Sequence, residues 1–247
     1  MNINISATPI QLGENAAGLV TSKLMEAIRE KGEARLLVST GSSKFETLEA
    51  LIHSSVDWSK VGIFHLDEYI GLDESHPASF RKYLKERFIS KIDVKAFYPV
   101  GEGANVSDSI KKLSIEILKK PVDVGLIGIG ENGHIAFNDP PADFETKEPY
   151  IVVELDERCK MQQVNEGWFP TLKEVPVTAI SMSVHQIMQC KVIISSVPHL
   201  VKAEAIGMTL HNELTNLLPA TMLKQHPDWH LFLDNFSASK VILMDRL

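Results

Sequence analysis

Val122-Asp-Val-Gly-Leu-Ile-Gly-Ile-Gly-Glu-Asn-Gly-His-Ile-Ala-Phe-Asn-Asp-Pro-Pro141 is an apolar run that breaks into glycines and then presents Asn132, His134, Asn138 and Asp139 together. Its first part, residues 122–127, is short, largely apolar and flanked by turn residues, the pattern of a strand buried on both faces of a parallel sheet. Gly128, Gly130 and Gly133 then allow a sharp turn and a close approach of backbone to a ligand. The same glycines satisfy the G-x-G-x-x-G spacing of dinucleotide-binding loops. That fingerprint requires an amphipathic helix opening at the last glycine, whereas Asn138-Asp-Pro-Pro141 interrupts the chain within about two turns. A nicotinamide cofactor is therefore disfavoured. What remains is a histidine-bearing loop at the C-terminal end of a strand, where open α/β sheets bind their ligands.

Outward from this stretch, strands alternate with helices. Residues 2–7, 35–39, 60–66, 150–155, 175–182, 191–197, 229–233 and 241–244 read as strands. Residues 14–30, 79–88, 106–119 and 198–210 read as helices, the first with Ala17, Val20, Leu24 and Ile28 at helical spacing. The pattern predicts an α/β, Rossmann-like fold with a mostly parallel sheet and helices on both faces. A chain of 247 residues, 44% hydrophobic and 23% charged, fits one large domain over 1–247. A formal net charge of -7 argues against nucleic acid and anionic membranes as partners, so an anionic ligand would need local positive groups. Cys159 and Cys190 have no metal-ligand spacing and point to a reducing compartment. The N-terminus lacks a basic segment leading into an apolar one, and no apolar run approaches a membrane span. A cytoplasmic protein is the expectation.

Three further stretches invite a chemical reading. Thr40-Gly-Ser-Ser43 joins a strand to a helix carrying Phe45, Leu48, Leu51 and Ile52. Unpaired N–H groups and the helix dipole would make it an oxyanion cradle, while a helix cap by Ser42 or Ser43 is the plainer alternative. Asp67-Glu-Tyr69 puts two carboxylates where a strand ends, as a solvated end or as acid–base groups. Lys202, near the start of a helix, either reaches a phosphate or stays in solvent. The basic residues of segment 79–88, Arg81, Lys82, Lys85 and Arg87, read mostly as a solvated face.

Phe64-His-Leu-Asp-Glu-Tyr-Ile-Gly-Leu72 with His76-Pro77, together with Gly128-Ile-Gly-Glu-Asn-Gly-His-Ile-Ala-Phe-Asn-Asp-Pro140, resembles the glucosamine-6-phosphate deaminase/isomerase family. The Thr40-Gly-Ser42 loop, Val175-Pro176, Lys202-Ala203 and Leu223-Lys-Gln-His-Pro227 follow in the family's order, so the likeness spans nearly the whole chain. It implies a Rossmann-like fold shared with 6-phosphogluconolactonases, a small-molecule sugar phosphate as substrate, and no metal or organic cofactor. Asp67 corresponds to the base that moves a proton between C2 and C1, and His134 to the group that assists ring opening, with both expected on neighbouring central strands facing one pocket. Asp139 stands where a family glutamate supports the histidine, and Asn132 where relatives carry Asp or Asn. Thr40, Gly41, Ser42, Ser43 and Lys202 match the sugar-phosphate site, and Gly130 and Gly133 shape the loop beside it. Some relatives are hexameric, which leaves a homo-oligomer open.

The departures from the family pattern are as informative. Asp139 is one methylene shorter than glutamate, so the backbone must carry it closer or a water must bridge. The family's Asn-Ser-Arg-Phe-Phe segment is here Asn165-Glu-Gly-Trp-Phe169, with Gly167 in place of a phosphate-binding arginine. Arg158, just after a predicted strand, is the expected replacement, ahead of Lys160. Residues 142–149 replace the Ser- and Arg-rich stretch of allosteric relatives. The first reading is an amino-sugar-phosphate isomerase/deaminase. A 6-phosphogluconolactonase-like lactone hydrolase and a catalytically weak sugar-phosphate sensor are the alternatives.

Overall fold

The structure, a computed structural model, describes residues 1–103 and 105–244. The chain opens with β1 (Asn2–Ser6) and α1 (Pro9–Lys31), whose start is set by Thr8, its side chain accepting from Gln11 N, and by Pro9 in the first turn. Then follow β2 (Ala34–Val38), α2 (Phe45–Ile52), β3 (Val61–His65), β4 (Asp67–Tyr69) and α3 (Phe80–Arg87). The middle of the chain holds β5 (Ala96–Tyr98), α4 (Val106–Leu118), β6 (Val124–Leu126), β7 (Tyr150–Glu154) and α5 (Glu157–Asn165). It closes with β8 (Thr178–Met182), α6 (Val184–Ile187), β9 (Val192–Val197), α7 (Ala203–His211), β10 (Trp229–Asp234) and α8 (Ser239–Met244).

Seven strands form one sheet in the order β1-β10-β9-β6-β2-β3-β5, every neighbouring pair parallel. Side-chain alternation sends successive residues to opposite faces. Leu36 and Val38 of β2, with Ile63 of β3 and Ile194 of β9, pack under Leu12, Val20 and Leu24 of α1 and Leu48 and Leu51 of α2. Leu37, Phe64 and Ile193 face the other way, toward Leu113 and Ile117 of α4 and Ala205 and Ile206 of α7. Burial on both faces is why these strands read as nearly continuous apolar runs.

Residues 150–155 and 175–182 do form strands, but outside this sheet. β7 and β8 pair antiparallel, and β8 pairs antiparallel with β4, making a separate three-stranded sheet. Tyr69, Phe80, Phe137, Phe169 and Cys159 pack beside it as a third core. The strand expected at 241–244 is instead part of α8. An apolar run of four does not distinguish the two periods, and β1 already occupies that edge of the sheet. Nor are the basic residues after Ser79 all solvated, since Arg81 is buried. No helix among the described residues is long and apolar enough to cross a membrane.

Glu68, fully buried on β4, organises this second layer. One of its oxygens accepts from Tyr69 N at 3.0 Å and Phe80 N at 3.2 Å. The other accepts from Ser79 Oγ at 2.9 Å, Arg81 N at 2.8 Å and Arg81 Nε at 3.2 Å. The carboxylate thus sits on the N-terminus of α3, where free N–H groups and the helix dipole favour an anion. Removing it leaves a buried guanidinium without its charge partner. Glu68→Ala is expected to destabilise the fold by roughly 3–5 kcal/mol, read from the midpoint of urea unfolding at unchanged slope.

Candidate active site

β6 ends at Leu126, and Gly128 to Gly130 of the loop that follows line the same cleft as Asp67. β2 lies between β3 and β6, so Asp67 and His134 do not come from neighbouring strands as the sequence reading had it. They nevertheless line one open cleft. The second sheet closes the gap. Asp67 pairs with Ser181 on β8, and Ser181 Oγ accepts from Phe137 N at 3.1 Å and Asn138 Nδ2 at 3.3 Å. The central loop is thereby tied to the strand opposite Asp67. Asn138 Nδ2 also donates to Ile135 O at 2.8 Å and Met182 O at 2.9 Å.

Within the loop, the His134 ring lies flat over Gly130, where an added Cβ would stand 2.3 Å from ring atoms Cε1 and Nε2. Nδ1 of His134 is 3.1 Å from Asp139 Oδ1, a close contact off the line of a hydrogen bond. Asp139, though one methylene short, is carried into direct contact by the backbone. Its carboxylate also accepts from Asn132 Nδ2 at 3.0 Å and Asp156 N at 3.1 Å. Burial acts to raise its pKa, yet His134, Asn132 and the Asp156 amide together hold it below the ordinary carboxylate value. Asn132 works on both partners, because its amide oxygen accepts from the backbone N of His134 at 3.1 Å. Ala136, next in line along the cleft, has φ 51°, a left-handed conformation that costs energy in a non-glycine residue. Gly133 does not line the cleft. It packs on Leu218, whose Cδ1 would lie 2.2 Å from an added Cβ.

Cys159, His134 and Asp139 bring ligand atoms within 4.8 Å of one another, the spacing of a metal-ligand set. Burial, and then Asp139, push the Cys159 thiol well above its usual value. Asp139 of this trio is already engaged by Asn132 Nδ2 and Asp156 N.

Asp67 contrasts with its neighbour Glu68. It is buried at the cleft wall, and burial first, then the charge of Glu68, raise its pKa well above the ordinary aspartate value. A carboxyl held this way is a stronger base when ionised than a solvated one.

The far end of the cleft is formed by the 40–43 loop and Lys202. Neither Ser42 nor Ser43 caps a helix, so the plain structural reading of these serines fails. Tyr83 OH donates to Gly41 O at 2.9 Å, bracing the loop from α3. Lys202 is buried, and burial lowers its pKa against the opposing pull of Glu166 and Glu131. Beneath the loop lies Lys44, which the sequence reading passed over. It is fully buried, Nζ donates to Ser196 O and to Ser43 Oγ, and burial followed by the charge of Lys202 brings its pKa down to about 7. Its place next to the serine loop was the available signal.

Arg158 does not reach this end. It stands exposed on α5, outside the cleft. Helical spacing puts buried Cys159 on the inner side of α5, followed by Gln162 and Gln163, and Glu166 at the helix end joins these two glutamines in lining the cleft. Arg158 falls off that face. Lys160 likewise does not line the cleft, and Gly167, in place of the expected arginine, is exposed with open space around it.

The raised pKa of Asp67 has a consequence for stability. An aspartate whose folded pKa lies above its unfolded value contributes its full stability below the unfolded pKa and loses it as pH rises through the folded one. Asp67→Asn is therefore expected to melt at a higher temperature than the native chain at pH 8, with the gap closing toward pH 3. Melting curves across that range check it, and a gap that widens on acidification would contradict the assignment.

The family profile described as glucosamine-6-phosphate isomerases/6-phosphogluconolactonase matches residues 7–231. A glucosamine-6-phosphate deaminase of Streptococcus pneumoniae (strain 70585) is 34% identical over 218 residues, covering 88% of this chain and 91% of the relative. The solved structure of a monomeric glucosamine-6-phosphate deaminase superposes with a TM-score of 0.87 at 27% identity, covering 97% of this chain and all of the other. A 6-phosphogluconolactonase from Shewanella baltica gives a TM-score of 0.76 at 20% identity, over 95% of this chain and 97% of its own, and so shares the fold. With the sheet order, the 40–43 loop and the His134–Asp139 pair already in place, these likenesses settle the kinship: the chain belongs to the glucosamine-6-phosphate isomerase/6-phosphogluconolactonase family.

Proposed function

We propose that this protein is an amino-sugar-phosphate isomerase/deaminase that converts glucosamine 6-phosphate, or a close relative of it, to a ketose phosphate and ammonia. The observation that carries this reading is the pairing, across one cleft, of a bare buried carboxylate, Asp67, with the His134–Asp139 couple. Proton transfer between two adjacent carbons needs a base held against them, a role that a buried carboxylate facing the cleft can fill. The 34% identity to a glucosamine-6-phosphate deaminase points the same way.

In the proposed mechanism His134 passes a proton to the ring oxygen as the sugar opens, and Asp139 stabilises the imidazole's charge changes. Asp67 then removes the proton from C2 and returns it to C1, turning the amine-bearing carbon into an imine. Addition of water to that carbon expels ammonia and leaves the ketose. Asn132 is a positioning residue that holds loop and Asp139 together. Thr40, Gly41, Ser42, Ser43 and Lys202 hold the phosphate end, and Gly130 gives the imidazole its room. No step requires a metal or an organic cofactor. The chain acts as one catalytic unit, and two buried, unpaired thiols support a cytoplasmic setting.

The test is incubation with glucosamine 6-phosphate and 6-phosphogluconolactone, measuring ammonia, ketose phosphate and acid release separately. Ammonia and ketose in equal amounts are expected, and lactone hydrolysis without ammonia would replace this reading by the lactonase one. Asp67→Asn should lower kcat by at least about a hundredfold with little change in substrate affinity, the usual scale for a general base. Because Asp67 must be ionised to act and its pKa is raised, kcat/KM should fall on the acid side at a pH above the ordinary carboxylate range. Gly130→Ala pushes the imidazole from its seat and should cost about a hundredfold in kcat, at the scale of a misplaced acid–base group, while circular dichroism stays unchanged.

A further inference from the structure

The anion-binding end of the cleft already contains an anion. Glu166, at the C-terminal end of α5, lines the cleft between the 40–43 loop and Lys202. Its Oε2 accepts from Ser42 Oγ at 3.2 Å and Trp168 Nε1 at 3.1 Å, and its Oε1 accepts from Gln162 Nε2 at 2.7 Å. Its charge reaches both lysines of this end, pulling the pKa of Lys202 and of Lys44 upward against burial. Three donors thus hold a carboxylate against the very hydroxyl that a phosphate on this loop would use. Lys202 is the one lysine or arginine among the described residues lining the cleft, and Glu166 stands against it.

We propose that Glu166 is a specificity-determining residue: its carboxylate competes with the distal group of the substrate for Ser42 and Lys202, weakening the hold on a phosphate dianion and admitting amino sugars that lack one. The proposal rests on the sugar-phosphate reading of the cleft. Two negative groups within reach of one hydroxyl repel each other, and a dianion repels a carboxylate more than a monoanion does. A hydroxyl at the distal position, by contrast, donates to Glu166 and is welcomed by it. The neighbouring Gly167 sharpens the point, because the segment lacks its cation where it also carries this acid.

The experiment is calorimetric titration of three low-turnover proteins, Asp67→Asn alone and combined with Glu166→Gln or Glu166→Ala, with glucosamine 6-phosphate, glucosamine and inorganic phosphate. Both combined variants should bind glucosamine 6-phosphate and inorganic phosphate at least about tenfold more tightly than Asp67→Asn alone, with glucosamine bound no more tightly than before. Glutamine keeps the shape, alanine removes any new donor facing Gln162 or Ser42, and thermal melts verify that each folds. A merely structural role would move all ligands in the same direction, and that result, or unchanged phosphate affinity in both variants, overturns the proposal. Absence of ammonia from every amino sugar incubated with the native chain, with phosphate binding still tightened, would remove the deaminase reading and leave the assignment of Glu166 standing.

Discussion

Two consecutive carboxylates are buried at the end of one strand, and the site depends on their being treated in opposite ways. Successive residues of β4 point to opposite sides. On one side Glu68 meets the N-terminus of α3, Ser79 and the Arg81 guanidinium, so its charge is matched within the protein. On the other side Asp67 faces the cleft with no such partners, and burial, then the charge of Glu68, raises its pKa. Burying a bare carboxylate is unfavourable, and the dense hydrogen bonding of Glu68 is what keeps β4 in place while that cost is borne.

From this arrangement the second, antiparallel sheet gains its purpose. The parallel sheet delivers the ends of β3 and β6 two strands apart. β8 brings Ser181 opposite Asp67, and Ser181 draws in the turn that carries Phe137 and Asn138. The remaining turn must then be tight, which explains both the flat contact of His134 on Gly130 and the left-handed Ala136.

The electrostatics of the cleft run in the same sense. Lys44 beneath the serine loop is brought to about 7 by burial, so its charge responds to what lies above it. An anion arriving at Lys202 and Ser43 would favour its protonated form. Glu166 supplies part of that negative charge from within the chain, so the far end of the cleft is balanced before any ligand arrives.

The strands of the large sheet were legible in the sequence wherever both faces are buried, as at 35–39, 60–66 and 191–197, because such strands are apolar throughout. β5 was not, being three half-buried residues at an edge. Asp67, His134, Asn132 and Asp139 were legible as candidates because each sits in a contiguous motif, and the structure gathers the last three into one cluster. Other features came only with the tertiary structure. The pairing of β4 with β8 joins residues more than a hundred positions apart, and no local pattern announces it. The phase of α5 decided that Gln162, Gln163 and Glu166 face the cleft while Arg158 does not. The sequence placed charge near the loop, but helical rotation determined its sign inside the site, because a shift of one residue along a helix turns a side chain through roughly 100°.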